Sequence, residues 1–212
     1  VRSGGRTGDG HQVSRQARQL RRQPQRAPRH ELLVFTEGEV TEVQYLKELE
    51  RRHRDKVVIT IDHRRGVPFT LVEHAAKARE RDLKLQRKQR GTARDEYWCV
   101  FDHDDHPNIP AALELARNNS IEVAFSNPCM ELWLLLHDRD QTAYIERHDV
   151  QKEWRELSGC EGKHLSSDAL DLLNENYAAA RGRAQYLDEK HLLDGSPERE
   201  NPSSSVWRLV QT

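Results

Sequence analysis

The sequence has few cysteines and no long apolar run. Its three cysteines, Cys99, Cys129 and Cys160, stand far apart and form no CxxC pair, which argues against a zinc ribbon and a disulfide scaffold. No apolar stretch approaches the length of a membrane span. The arginine-rich start also lacks the apolar segment of a secretory signal. We therefore expect a cytoplasmic protein with reduced cysteines.

Several catalytic motifs are also missing. The Walker A pattern GxxxxGK[ST] does not occur, so the chain is not expected to drive an ATPase cycle by itself. The HEXXH pattern and the spaced histidines of an HD phosphohydrolase are absent too. A transferase or primase would need a nucleotide pocket that no motif indicates, and a topoisomerase would need strand-gate domains for which the chain has little room.

The charge is unevenly distributed although the net charge is only −1. Residues 1–30 contain eight arginines and one aspartate, whereas the rest has 26 basic and 34 acidic residues. The Gly, Arg, Gln and Pro content of 1–30 predicts a disordered basic arm, followed by one domain over 31–212. The arm would either contact a nucleic-acid backbone or remain a solvated tail.

Apolar runs and helical patterns alternate along the domain. Strands are predicted at 32–36, 57–62, 97–102 and 121–126, and helices at 42–52, 70–90, 110–118, 128–137, 147–157 and 166–191. This alternation predicts an α/β fold with a mainly parallel, Rossmann-like sheet and extra C-terminal helices. The apolar seam of 166–191 would pack on the sheet or on a second copy in a homodimer.

Two predicted strands end in acidic residues, where sites of parallel sheets lie. The first is followed by Glu37-Gly38-Glu39 and the third by the stretch 102–106, DHDDH. Asp102 and Asp104 are two apart, so both face one side in extended backbone and His103 faces the other. Such carboxylates suit Mg²⁺. The alternatives are helix capping or turn decoration, and a zinc site that also uses the histidines.

The stretch SNPCMELWLLLH, residues 126–137, predicts a buried helix. Pro128 suits the first helical turn, with Ser126 or Asn127 as the cap. Glu131 is unusual inside an apolar helix, because a buried carboxylate must be paired, metal-linked or protonated. It is either paired with an arginine or an additional acid of the site.

Three further residues are candidates for contacting a nucleic acid or its phosphates. Asn127 would reach into the site or only cap the helix. His137 would contact the substrate or satisfy a backbone carbonyl. Lys163 follows a glycine-containing turn, GCEGKH, and would bind a phosphate or remain an ordinary exposed lysine.

The two acidic strand ends together resemble the Toprim domain, in which Glu-Gly ends one strand and Asp-x-Asp ends a later one. Over roughly residues 30–211 the chain also resembles RloB-like proteins, through EGEVTEVQYLKEL, SNPCMELWLLLH and NPSSSVWRLV. Met130 stands where that family is expected to have Phe. The resemblance implies that Glu37 is a general acid/base or metal ligand and that Asp102 and Asp104 hold Mg²⁺ or Mn²⁺. Glu39, Asp105 and Glu131 are the candidates for a second metal.

The resemblance also implies a function. RloB-like proteins are regarded as phage-defence or abortive-infection components, often encoded beside an AAA-type ATPase. We therefore expect a metal-dependent nuclease that cuts DNA or RNA and works with such an ATPase. The alternative is a non-catalytic sensor or interaction subunit of an ATPase-containing defence complex.

Overall fold

The computed structural model describes residues 1, 4, 28–103, 108–160 and 162–209, and a five-stranded sheet organises them. Its strands are β1 (His30–Thr36), β2 (Val57–Asp62), β3 (Glu96–Asp102), β4 (Glu122–Asn127) and β5 (Ser203–Ser204). The order is β2-β1-β3-β4-β5, and among these strands only the β4–β5 pairing is antiparallel. The predicted α/β fold with a mostly parallel sheet is confirmed.

Helices connect the strands and extend the domain beyond β4. They are α1 (Thr41–Arg52), α2 (Pro68–Arg87), α3 (Ile109–Asn118), α4 (Met130–Leu135), α5 (Arg147–Ser158), α6 (Ser167–Glu175) and α7 (Tyr177–Asp194), followed by a 3-10 helix, Val206–Leu209. Because each parallel connection contains a helix, the carboxyl ends of β1 to β4 meet at one edge of the sheet.

Alternating side chains of the strands divide the core into two layers. In β1, β3 and β4, even-numbered residues such as Val34 and Val100 pack in one cluster with α1 and α4 to α7. Odd-numbered residues such as Phe35 and Phe101 pack in a second cluster with α2 and α3. This arrangement explains why the strands are apolar on both sides, since helices cover both faces of the sheet.

The predicted C-terminal helix is two helices. The chain breaks at Asn176, where φ is −105° and ψ is 11°, and its side-chain amide nitrogen donates to the carbonyl of Leu172 over 3.0 Å. A short amide side chain competes in this way with the helical hydrogen bonds. The seam nevertheless packs within the chain, because Leu173, Ala184 and Leu187 belong to the first core cluster.

The start of α4 also differs from the prediction. Asn127 is still part of β4, the Asn127–Pro128 peptide bond is cis, and the helix begins only at Met130. Pro128 is therefore a connector and not the first helical residue, and Cys129 takes the capping position without a side-chain cap. The expectation that this helix is buried is confirmed by residues 132–136, which are all buried.

The basic arm and the membrane prediction concern whole segments of the chain. Nearly all of the basic arm, 1–30, lies outside the described residues, so its contacts remain a prediction. In the part of the chain that the structure describes, no helix is long and apolar enough to cross a membrane.

Candidate active site at the carboxyl edge of the sheet

The ends of β1 and β3 bring two of the predicted acids together. The two strands are neighbours, and the backbone nitrogen of Glu37 donates to the carbonyl of Val100 over 3.0 Å. The backbone nitrogen of Asp102 in turn donates to Glu37 Oε2 over 3.4 Å. Residues 65 positions apart in sequence therefore share one place on the sheet edge, as the acidic strand ends predict.

The other acids of the two predicted clusters have different positions. Asp104 and Asp105 lie outside the described residues, so their expected part in the site stays a prediction. Glu39 is exposed on the turn after β1. His103 faces the opposite side of the sheet from Asp102, as predicted, since its ring lies 6.0 Å from that of Phe125 in the second core cluster.

Two helix starts add acids to this edge. Glu42 lies in the first turn of α1 and Glu131 in the first turn of α4. Gly38 makes room for the first of them, because a Cβ atom at that position would overlap the carboxylate of Glu42. Gly38 does not have a positive φ, so a side chain at this position would disturb the placement of the Glu42 carboxylate and not the backbone conformation.

The crowding of these acids changes the protonation of Asp102. Burial raises the pKa of its carboxyl group well above the usual range, and the charges of Glu42 and Glu131 raise it further. Arg147 and a hydrogen bond from the backbone of Met130 act in the opposite direction. The positive charge near Asp102 therefore does not compensate the loss of water and the neighbouring carboxylates.

Glu42 is affected in the same way. Burial is the main cause that raises the pKa of its carboxyl group, and a hydrogen bond to its own backbone opposes the rise. Among the charges, Glu131 and Glu37 raise this pKa and Lys163 lowers it. A carboxyl group with a raised pKa can hold a proton closer to neutral pH, which general acid/base catalysis requires.

Two cations border the cluster. Arg147, at the start of α5, places a guanidinium nitrogen 3.5 Å from Asp102 Oδ2, and its side chain is 36% exposed. Lys163 is exposed, and its backbone carbonyl accepts a hydrogen bond of 2.8 Å from Thr41 Oγ1, next to Glu42. Partly exposed cations beside crowded carboxylates are suitable partners for the phosphates of a substrate.

Both of the other predicted nucleic-acid contacts are buried and bond to backbone carbonyl groups. Asn127 is buried and donates through Nδ2 to the carbonyl of Arg199 over 2.8 Å, and it does not cap α4. His137 is only 1% exposed, and its Nδ1 lies 2.9 Å from the carbonyl oxygen of Trp133. The structure therefore favours the alternative for His137, a histidine that satisfies a backbone carbonyl, because core side chains cover its ring.

The chemistry of the cluster fits an oxygen-preferring cation. Its donors are carboxylates from two strand ends and two helix starts, and burial together with the neighbouring carboxylates raises the pKa of Asp102. Such a set suits Mg²⁺ or Mn²⁺ better than zinc. Within the described ranges, no three His, Cys, Asp or Glu residues form a ready group of metal ligands. A cation would therefore have to draw the carboxylates together.

Sequence reasoning missed two residues of this site. Glu42 belongs to the quoted EGEVTEVQY segment, and its position in the first turn of the helix that follows β1 could have indicated that it lies near the strand end. Arg147 has no comparable signal. It lies 45 positions after Asp102 in the sequence, and only the packing of α5 on α4 brings it to the site.

The fold and the site define an α/β protein with a mostly parallel sheet and an acidic cluster at the carboxyl edge of that sheet. Comparison with protein families identifies it further. The model of the RloB-like protein family matches residues 32–212, so the chain belongs to this family. This confirms the resemblance to RloB-like proteins inferred from the motifs.

Other comparisons add no relative. Neither the curated proteins nor the solved structures contain a match to this chain.

Proposed function

We propose that this RloB-like protein is a metal-dependent nuclease that hydrolyses phosphodiester bonds of DNA or RNA. The observation that carries the proposal is the meeting of Glu37 and Asp102 at adjacent strand ends, with Glu42 and Glu131 close enough to act on Asp102. Such crowding of carboxylates costs free energy unless a cation offsets it. The Toprim resemblance implies the same chemistry for Glu37 and Asp102.

The residues divide into three roles. Glu37 and Asp102, with Asp104 as predicted, would hold Mg²⁺ or Mn²⁺. Glu131, whose charge acts on Asp102, is the described residue we favour for a second ion. A bound ion would polarise the phosphoryl oxygen, lower the pKa of water and offset negative charge. Glu42 is the proton carrier we favour, because burial raises its pKa. Arg147 and Lys163 would bind the phosphates on either side of the cleaved bond.

The biological part of the proposal depends on the family. As the resemblance implies, we propose that the protein acts as an effector in bacterial anti-phage defence together with an AAA-type ATPase. The chain has no Walker A motif, so ATP hydrolysis would come from the partner.

A panel of cleavage assays tests the activity. Purified full-length protein is incubated with single-stranded DNA, duplex DNA, single-stranded RNA and tRNA in Mg²⁺, Mn²⁺ or EDTA. We expect cleavage products of at least one substrate with Mg²⁺ or Mn²⁺ and none with EDTA. A folded protein that cuts none of them, alone or with its co-purified ATPase, would contradict the proposal.

One observation favours a second candidate, the partner-dependent or purely interacting subunit. Asp102 already has Arg147 as an ion-pair partner at 3.5 Å, and the described residues contain no ready group of metal ligands. A partner or substrate would then have to withdraw Arg147 before a metal binds. Cleavage that appears only when the ATPase is added would support partner dependence. Co-purification without cleavage in either case would support the interacting subunit.

Replacing Gly38 by alanine tests the placement of Glu42. The added methyl group would displace the Glu42 carboxylate, so we expect cleavage to fall about tenfold, as for a misplaced catalytic group. The free energy of unfolding should change by less than about 1 kcal/mol. Gly91→Ala is the matched control, because its Cβ would meet only Leu85 Cβ at 3.6 Å. Equal cleavage rates of the two variants would show that catalysis does not depend on the position of the Glu42 carboxylate.

A further inference from the structure

A cavity of about 820 Å³ lies beside the acidic cluster. It is lined by the ends of β3 and β4, the first half of α3, the segment leading into α5 and the segment between α7 and β5. Arg147 is common to both places, since it lines the cavity and also contacts Asp102 at 3.5 Å. A substrate held at the carboxylates would therefore reach directly into this cavity, whose size is that of a small-molecule site.

The wall of the cavity offers flat surfaces for stacking. The exposed His103 and the half-buried Arg199 both pack on the buried Phe125 ring, His103 edge-to-face at 6.0 Å and the guanidinium of Arg199 at 5.8 Å from the ring centroid. The Tyr144 side chain also lines the cavity, is 64% exposed and donates its hydroxyl to Glu146 over 2.8 Å. Aromatic rings and arginine planes together are the surfaces on which unstacked bases lie.

The charges of the lining argue against a phosphate as the occupant. Two arginines line the cavity, Arg147 and Arg199, but so do three glutamates, Glu146, Glu198 and Glu200. The formal sum is negative, whereas a phosphate site would be positive. Carboxylate oxygens accept hydrogen bonds from the exocyclic amino groups of bases, and an uncharged planar group avoids the repulsion.

We propose that this cavity receives one unstacked base of the nucleic acid whose neighbouring phosphate lies at Asp102 and Glu37. The inference depends on the proposed function, because it names the substrate class of that site. A base inside a continuous duplex is stacked and paired, and removing it costs a few kcal/mol. The preferred substrate is therefore a single-stranded or looped segment.

Binding measurements test this proposal without cleavage. Fluorescence anisotropy of labelled strands of about 20 nucleotides, long enough to cover a typical single-strand site, is recorded with full-length Asp102→Asn protein in EDTA, for a single strand and for its duplex. We expect the single strand to bind at least about tenfold more tightly. Arg199→Ala or Tyr144→Ala, added to this protein, should each weaken single-strand binding about tenfold, the loss of one stacked base, and leave duplex binding unchanged.

Two controls separate stacking from charge and from folding. Arg199→Lys keeps the charge but loses the plane, so it should weaken single-strand binding like Arg199→Ala. Arg87→Ala removes an exposed arginine at the distant end of α2 and should change nothing. Tyr144 is mostly exposed, so its variant tests the cavity even if the Arg199 variants do not fold. Equal or tighter duplex binding, or full binding by Arg199→Lys and Tyr144→Ala, would overturn the inference.

The two proposals fail in different ways. Cleavage by the wild-type protein without any preference for single strands would overturn the base cavity and leave the nuclease intact. A single-strand preference that both cavity variants lose, in a protein that cuts nothing, would support the cavity and contradict hydrolysis. If neither the single strand nor the duplex binds, the base cavity is overturned whatever the cleavage result.

Discussion

Replacing Asp102 by asparagine is expected to abolish cleavage and at the same time to stabilise the protein. The asparagine would keep the size of the side chain but lose the charge that holds a cation. We expect a reduction of about 1,000-fold or more in the cleavage rate, comparable to the loss of a group that stabilises charge in the transition state. The rate is measured with Mg²⁺ or Mn²⁺ on the substrate that the wild-type protein cuts.

The stabilising effect follows from the pKa of Asp102. Because burial and two carboxylates raise its pKa in the folded state, the folded protein binds the proton more tightly than the unfolded chain does. The free energy of unfolding therefore falls as pH rises from the ordinary pKa of about 4 toward the raised value. Asparagine has no such titration, so the variant should be more stable than the wild type at neutral pH.

The size and pH dependence of this difference can be measured by urea unfolding in EDTA. We expect the variant to unfold at a higher urea concentration than the wild type at a pH of about 7.5, because only the wild type then has a charge on the buried side chain. The difference should shrink below a pH of about 4, where Asp102 is protonated in both states. A variant that is less stable than the wild type at neutral pH would show that Arg147 compensates the charge.

Replacing Glu42 by glutamine is expected to lower cleavage about 100-fold, within the range for a general acid or base. The reason is that Glu42 lies beside Gly38 and shares its electrostatic environment with Glu37 and Glu131. If Glu42 carries the proton, the variant should also lose the limb of the pH–rate profile that reports its pKa. That profile distinguishes proton transfer from a role in positioning.

Glu39→Gln is the matched control for this prediction. Glu39 is three residues earlier and is exposed, so the substitution removes the same charge from a nearby position without entering the cluster. We expect its cleavage rate to stay within about threefold of the wild type, because an exposed charge is well screened by water. If Glu39→Gln lost more activity than Glu42→Gln, the proton carrier would have to be reassigned and the prediction of Glu39 as a metal ligand would gain support.

The position of Arg147 allows its side chain to exchange partners when a substrate binds. Its guanidinium lies between Asp102 and the cavity, so it can pair with the carboxylate or with a bound phosphate. Arginine binds either partner through the same planar set of donors. An entering substrate phosphate would compete for this side chain and leave Asp102 available to a cation. Substrate and metal would then bind cooperatively at the proposed active site.

Much of the fold was predictable because its signals are local. The apolar strands 32–36 and 57–62 and the helical pattern of 42–52 agree with the structure to within about two residues. The order of strands and helices then required a parallel sheet with its ends at one edge. Where a local signal was ambiguous the prediction was wrong, as at Asn176, where the backbone leaves the helical conformation and the side chain is a second donor to the Leu172 carbonyl.

The sequence by itself determined that Glu37 and Asp102 follow strands whose ends lie at one edge of a parallel sheet, because the hydrophobic period and the alternation of strands and helices place them there. Only the tertiary structure decided that these two strands are neighbours and which other charges share their surroundings. Glu42, Glu131 and Arg147 come from three different helices, and their electrostatic effect depends on distance and burial, which no local pattern encodes. The proton affinity of Asp102 is consequently a property of the packed domain.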